Sequence, residues 1–432
     1  MRIQLRKDEI LVFIMMIILS IGMNYSNSEV LQFSFIIFLF IIIANKAKLS
    51  FFTILTFILI FTLFQEFMLD VFNISTGMLT TGREAENAFK ELFLCTNIFC
   101  LIEYVFMITT DIIENERKIY LTKIEMTDFW AIFFSFMAFV ITLLVFPSIP
   151  NFKSNTINRF NSGIIPFSGF AGLALLFIGI TYDSAKRFKF IYIIDFFVVF
   201  WFIGHAERVE ALGLLVFILL KYLNQTSVDL NTIFQFIKKH YRLLLLCFLV
   251  VVLLTWIGMT RTIKDTGTVK FIDLFNKIFV QSTASDVAYI FNCSVDLWKN
   301  GELFDGSTYL SYLSKLIPIM PSFTTCEMAI QQYYYTVGGC PFFAEIIMNF
   351  GINGLIPIIT VFFLVYSLIL RKVSKFRTIF WIPVVIEIFR TAWYGWTGWF
   401  RLSIFIVPVV YIFITKFNIV IIGSKKHKLR VS

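Results

Sequence analysis

Residues 338–370 read GGCPFFAEIIMNFGINGLIPIITVFFLVYSLIL, a glycine pair and then a long apolar run that carries one charged residue, Glu345. Apolar blocks of roughly 15 to 22 residues match the hydrocarbon thickness of a bilayer, and a soluble core does not need them. They recur along the chain, whose 432 residues are 58% apolar and only 15% charged, with 55 Phe. The pattern predicts an all-α polytopic membrane protein, one integral membrane domain over residues 1–432 with about 12 transmembrane helices. The expected spans are 10–23, 30–44, 50–69, 91–109, 128–147, 164–181, 189–204, 209–223, 241–259, 341–370, 378–396 and 399–416. The opening MRIQLRK has the basic character of a signal-peptide start, but no small-residue cleavage site follows, so the first span is expected to remain.

Lys and Arg set the expected orientation. With both termini on the cytoplasmic side, 24 of the 37 basic residues fall in or beside the inner connections. Only seven lie in the short outer ones and six in the long connection 260–340, where the rule has little force. This bias explains the net charge of +9 and gives no reason to invoke nucleic acid. Every inner connection is too short to hold a domain. The sequence has no GxxxxGK[ST], no dinucleotide glycine pattern and no DxD for a metal diphosphate, so chemistry is expected on the outer side and without a nucleotide or metal cofactor.

The long outer loop, residues 260–340 between spans 9 and 10, is expected to be ordered. VKFIDLFNKIFVQ (269–281) has near-helical apolar spacing and suggests an amphipathic helix on the membrane surface. An oxidising exterior permits one disulfide among Cys293, Cys326 and Cys340, most simply Cys326 to Cys340.

Arginine matches planar diphosphate oxygens with a fixed fork of donors. Arg83, Arg159, Arg208, Arg261, Arg390 and Arg401 sit near span ends on the outer side, at headgroup depth, where snorkelling to headgroups is the competing explanation. The turn GHAERVE packs His205, Glu207, Arg208 and Glu210 together, and His205 titrates in the range that suits proton transfer. Gly338 and Gly339 permit a tight turn, and Pro341 suits the first turn of a helix. Glu345 then falls one turn in, with Asn349 on the same face; Gly351 and Gly354 permit a close approach or a helix break. Glu345 fits either a structural pairing with an arginine or a role as base or substrate anchor. Glu387 and Arg390, three apart, suit an intrahelical pair. Glu103 and Asp195, inside spans, are the residues a proton-coupled carrier would need.

The order GSTYLSYLSKLIP, an aromatic patch, then GGCPFFAEIIMNFGINGL and an apolar span resembles bacterial O-antigen polymerases of the Wzy type, oligosaccharide repeat unit polymerases. Glu345, Asn349, Phe350, Gly351 and Gly354 occupy that family's E-x-x-x-N-F-G-x-x-G positions. FIGHAERVEAL resembles its G-x-R-x-x-x-L element through Arg208, with two extra residues after Gly204, and NRFNSG resembles its arginine-and-glycine outer loop through Arg159 and Gly163. The resemblance implies a GT-C-like architecture and a glycosyltransferase of the bacterial inner membrane. It implies a growing glycan on undecaprenyl diphosphate as donor, a lipid-linked repeat unit as acceptor, a bond formed on the periplasmic face, and a possible chain-length regulator as partner. On that basis Arg208, Arg159, Arg401 and Arg261 are expected to clamp the diphosphate, with Glu345 or His205 as base and Asn349 beside them. An O-antigen ligase is the nearest alternative, but ligases carry a histidine in the large outer loop and residues 260–340 have none. A lipid-linked oligosaccharide flippase or transporter is the other.

Overall fold

In lipid a backbone must satisfy its own polar groups, and each long apolar block closes on itself as a helix for that reason. The computed structural model describes residues 7–77, 84–150, 163–165, 167–182, 189–205, 208–225, 279–316, 323–336, 338–395 and 402–416, with isolated positions between 238 and 252. Among the described residues there is no strand.

The first group of helices is α1 (Lys7–Asn24), α2 (Glu29–Ala47), α3 (Phe51–Phe72) and α4 (Phe89–Thr109). Side chains set their ends: Ser28 caps α2 through the Leu31 N–H, Ser50 caps α3 through the Thr53 N–H, and Asn73 closes α3 in the left-handed conformation. A short amphipathic helix, α5 (Ile112–Leu121), occupies the 110–127 connection; the sequence reading treats this stretch only as a connection. The second group is α6 (Asp128–Val145), α7 (Phe167–Thr181), α8 (Lys189–Gly204) and α9 (Arg208–Gln225), with α6 packed on α7 and α8.

The long loop carries α10 (Ser282–Lys299), α11 (Ser307–Leu316) and α12 (Cys326–Gln331). The surface helix expected over 269–281 lies almost entirely outside the described residues, as does the span expected at 241–259. After the loop come α13 (Phe342–Phe350), α14 (Leu355–Leu370), α15 (Lys375–Ile386), α16 (Ile388–Trp393) and α17 (Val407–Lys416).

Among the described residues, five helical stretches are long and apolar enough to cross a membrane: α2, α3, α4, α6 and Ile352–Leu370. Phe170–Thr181, Phe190–Gly204 and Leu402–Lys416 are apolar but shorter. Two expected spans are broken. The run 341–370 divides at Gly351, which takes φ +62° and leads through a 3-10 turn into α14. A side chain there would place Cβ 2.5 Å from Trp298 Nε1, so the break needs glycine for its conformation and for its clearance. The run 378–396 divides at Glu387, one turn beyond Pro383, whose ring removes a helix hydrogen bond.

Phenylalanine supplies the packing between these elements. Phe99 on α4 meets Phe342 and Phe343 of α13 and Phe362 and Phe363 of α14, with ring centroids 5.2 to 6.2 Å apart. α10 docks on α3 by polar contacts as well as apolar ones. Gln281 N–H donates to Gln65 Oε1 at 3.1 Å, Ser285 Oγ donates to the same atom at 3.2 Å, and Asn292 Nδ2 donates to Glu66 Oε1 at 2.9 Å. Gln65 and Glu66 are buried polar residues of the largely apolar α3, so the loop helix is part of the helical body.

Candidate functional site

The entry into α13 decides where Glu345 goes. Gly338 and Gly339 take φ of +101° and +100°, a turn that L side chains resist. At Gly339 an added Cβ would stand 2.9 Å from the Tyr394 ring and 3.1 Å from Trp393 O, so the turn also lies directly on the end of α16. Beside it, Cys340 pairs with Cys326 of α12 in a disulfide, while Cys293 is a buried thiol on α10. α13 then runs nine residues with every side chain but Phe350 buried.

Glu345 is 0% exposed, and its neighbours there are hydroxyl groups. Thr308 Oγ1 donates to Oε1 at 3.1 Å and Tyr312 Oη donates to Oε2, both from α11. One turn on, Asn349 Nδ2 donates to Thr308 Oγ1 and to the Glu345 carbonyl, each at 2.7 Å. The i, i+4 spacing of Glu345 and Asn349 on α13 faces the i, i+4 spacing of Thr308 and Tyr312 on α11, so four polar side chains meet on two short helices. Asn349 Oδ1 is buried and has no hydrogen-bond partner among the described residues. Tyr309 lies beside the cluster, stacked on Phe350 with ring centroids 6.0 Å apart; burial, and then the Glu345 charge, hold its hydroxyl well above the ordinary tyrosine range.

The cluster continues toward α9. Gly395 takes φ +96°, and an added Cβ would lie 2.7 Å from Tyr312 Oη, so the end of α16 presses on the same hydroxyl. Its neighbour Tyr394 sits under the Arg390 guanidinium, 5.8 Å from the ring centroid. Arg390 in turn donates through Nε to Glu210 Oε1 at 2.6 Å and through Nη2 to the same oxygen, with Glu387 Oε2 3.6 Å away. The intrahelical Glu387–Arg390 pair expected from the sequence is therefore secondary, because the nearer carboxylate comes from another helix, α9. Gly213 lets α9 approach α15 this closely: a Cβ there would lie 1.7 Å from Ile386 O.

His205 lies elsewhere, at the C-terminal end of α8. Its Nδ1 is 2.9 Å from Trp201 O, its Nε2 is 2.9 Å from Ser148 O, and its ring stacks on Phe146 at 4.5 Å. Both ring nitrogens are engaged by main-chain carbonyls, which fastens the end of α8 to the residues after α6. Arg208 opens α9 two residues before Glu210, although its side chain lies outside the described residues. Arg83, Arg159, Arg261 and Arg401 also lie outside them.

The structure thus brings together Glu345 and Asn349 from the sequence-expected set, and adds Thr308 and Tyr312. Their signal is present in GSTYLSY as two hydroxyls four apart. It has no meaning until α11 is placed against α13. Comparisons of the chain with protein-family models, with curated proteins and with solved structures returned no match.

Proposed function

We propose that the chain is a membrane glycosyltransferase that polymerises undecaprenyl-diphosphate-linked oligosaccharide repeat units, with donor and acceptor both lipid-linked. In this reading it is a GT-C-like protein of the bacterial inner membrane with about 12 spans, both termini cytoplasmic and the 260–340 loop periplasmic. The observation that carries the reading is the fully buried Glu345, held by hydroxyls of a loop helix in the short helix that precedes the break at Gly351. A buried carboxylate in apolar surroundings is costly, and such groups mark functional sites more often than packing ones. An alternating path from a cytoplasmic N-terminus gives the end of α3, the start of α4, the end of α8 and the start of α9 to the same side, the side of Arg208. The Cys326–Cys340 disulfide fits an oxidising compartment on that face.

In the reaction a sugar hydroxyl of the acceptor attacks the anomeric carbon of the donor glycan while lipid diphosphate departs. Arg208, Arg159, Arg401 and Arg261 supply positive charge where the leaving group becomes charged, and the Glu345–Asn349 cluster handles the acceptor hydroxyl. His205, with both nitrogens on carbonyls, is assigned to holding α8 and not to proton transfer. Transport is the weaker reading. Glu103 accepts from Thr56 within the first helix group and Asp195 lies against Ser135 within the second, so each has its neighbour inside its own group.

The test is elongation by purified protein supplied with synthetic undecaprenyl-diphosphate repeat units, without nucleotide. Wild type is expected to give a glycan ladder, and Arg208→Ala and Glu345→Gln to lose it by about 100-fold or more while remaining folded. Full elongation by both variants would remove the assigned site.

A further inference from the structure

Glu345 has the chemistry of a base but is 0% exposed, and neither Thr308 (0%) nor Asn349 (1%) reaches the surface. Tyr312, the remaining member of the cluster, is half-buried and carries its hydroxyl on Glu345 Oε2. The same hydroxyl faces Gly395, at the end of the helix that carries Arg390. Leu310 and Leu313, its neighbours on α11, are 39% and 45% exposed, so Tyr312 stands at the boundary between an open face of that helix and the buried cluster.

From this placement we infer that Tyr312 is the group that touches the acceptor sugar hydroxyl, and that Glu345 acts behind it as a positioning residue and proton store. The inference rests on the polymerase reading and gives a role to a residue for which the resemblance implies none. Thr308 holds Oε1 of Glu345 and is itself held by Asn349, which leaves Oε2 turned to Tyr312. In the step, the acceptor oxygen bonds to the anomeric carbon, and the bond from that carbon to the diphosphate oxygen breaks with its electron pair leaving on lipid diphosphate. The acceptor proton passes to Tyr312 Oη as the proton of Tyr312 passes to Glu345 Oε2. It later leaves Glu345 for water or the departed diphosphate, which restores the starting state with no net gain or loss.

The experiment uses the full chain in lipid nanodiscs with synthetic undecaprenyl-diphosphate repeat units, and compares wild type, Tyr312→Phe and a protein with 3-fluorotyrosine at position 312. Loss of the hydroxyl is expected to lower kcat by about 100-fold or more with KM little changed. The fluorinated ring keeps the shape and is more acidic, so the pH–rate profile is expected to move to lower pH. A structural role for the hydroxyl would leave that profile in place, so an unmoved profile overturns the relay even where Tyr312→Phe fails to fold. Tyr312→Phe with wild-type kcat overturns it while polymerisation stands, and a wild type that elongates nothing overturns both.

Discussion

At position 345 a carboxylate accepts from two hydroxyl groups of α11, whereas Glu210 accepts from the guanidinium of Arg390. Glu210 has only 1% of its side chain exposed and Arg390 31%, so removing the cation strands a buried charge. Arg390→Ala is expected to destabilise by about 3 kcal/mol, and Glu210→Gln in the same protein to restore part of that; thermal unfolding in detergent measures both. Glu116 makes a pH prediction. Its Oε1 accepts from the Phe51 N–H and from Tyr120 Oη, each at 2.7 Å, and burial pushes its carboxyl up to about 7. A raised carboxyl gives stability that is full below the unfolded value of 4.5 and is lost as pH rises through about 7. The protein should therefore lose roughly 3 kcal/mol between these limits from this group, and Glu116→Gln should flatten that part of the Tm–pH curve. Equal slopes for the two proteins would exclude Glu116 as the cause.

Among the elements, what was legible followed local pattern. Long apolar runs gave α2, α3, α4 and α6 close to their observed bounds, and the glycines after Asn349 marked the break at Gly351. The breaks and helices that were missed depend on distant partners. The turn at Glu387 follows a proline inside an apolar run, and its Arg390 is held from 180 residues away. α5 is a short polar helix fixed by its dock on the start of α3. The meeting of α11 with α13 rests on chemistry 37 residues apart, Thr308 with Glu345, so spacing within either segment alone does not predict it. Gly213 tests the packing of elements: with 1.7 Å between an added Cβ and Ile386 O, Gly213→Ala must push α9 off α15. An expected loss of about 1–3 kcal/mol or more in unfolding stability would accompany weakened Glu210–Arg390 pairing, whereas Gly22→Ala, with open space around it, should cost little.

For the whole molecule, sidedness is the property that links fold to function. In the proposed reading the loop helices, the disulfide, the opening of α9 and the Glu345 cluster share the periplasmic side, and the Cys326–Cys340 pair fits an oxidising compartment there. Among the described cysteines, Cys326 and Cys340 are paired and Cys95, Cys100 and Cys293 are free thiols, so denatured protein from cells is expected to take two more alkyl groups with reductant than without it. Equal uptake in the two conditions would place the loop on the reducing side. The most direct measurement of the central claim is made in sealed proteoliposomes holding the full chain and an authentic undecaprenyl-diphosphate repeat unit, followed for both glycan length and lipid movement. Polymerisation predicts a ladder of lengthened lipid-linked glycans with no nucleotide present and no change in the leaflet of the unextended lipid; movement of that lipid across the membrane with no lengthening would contradict it.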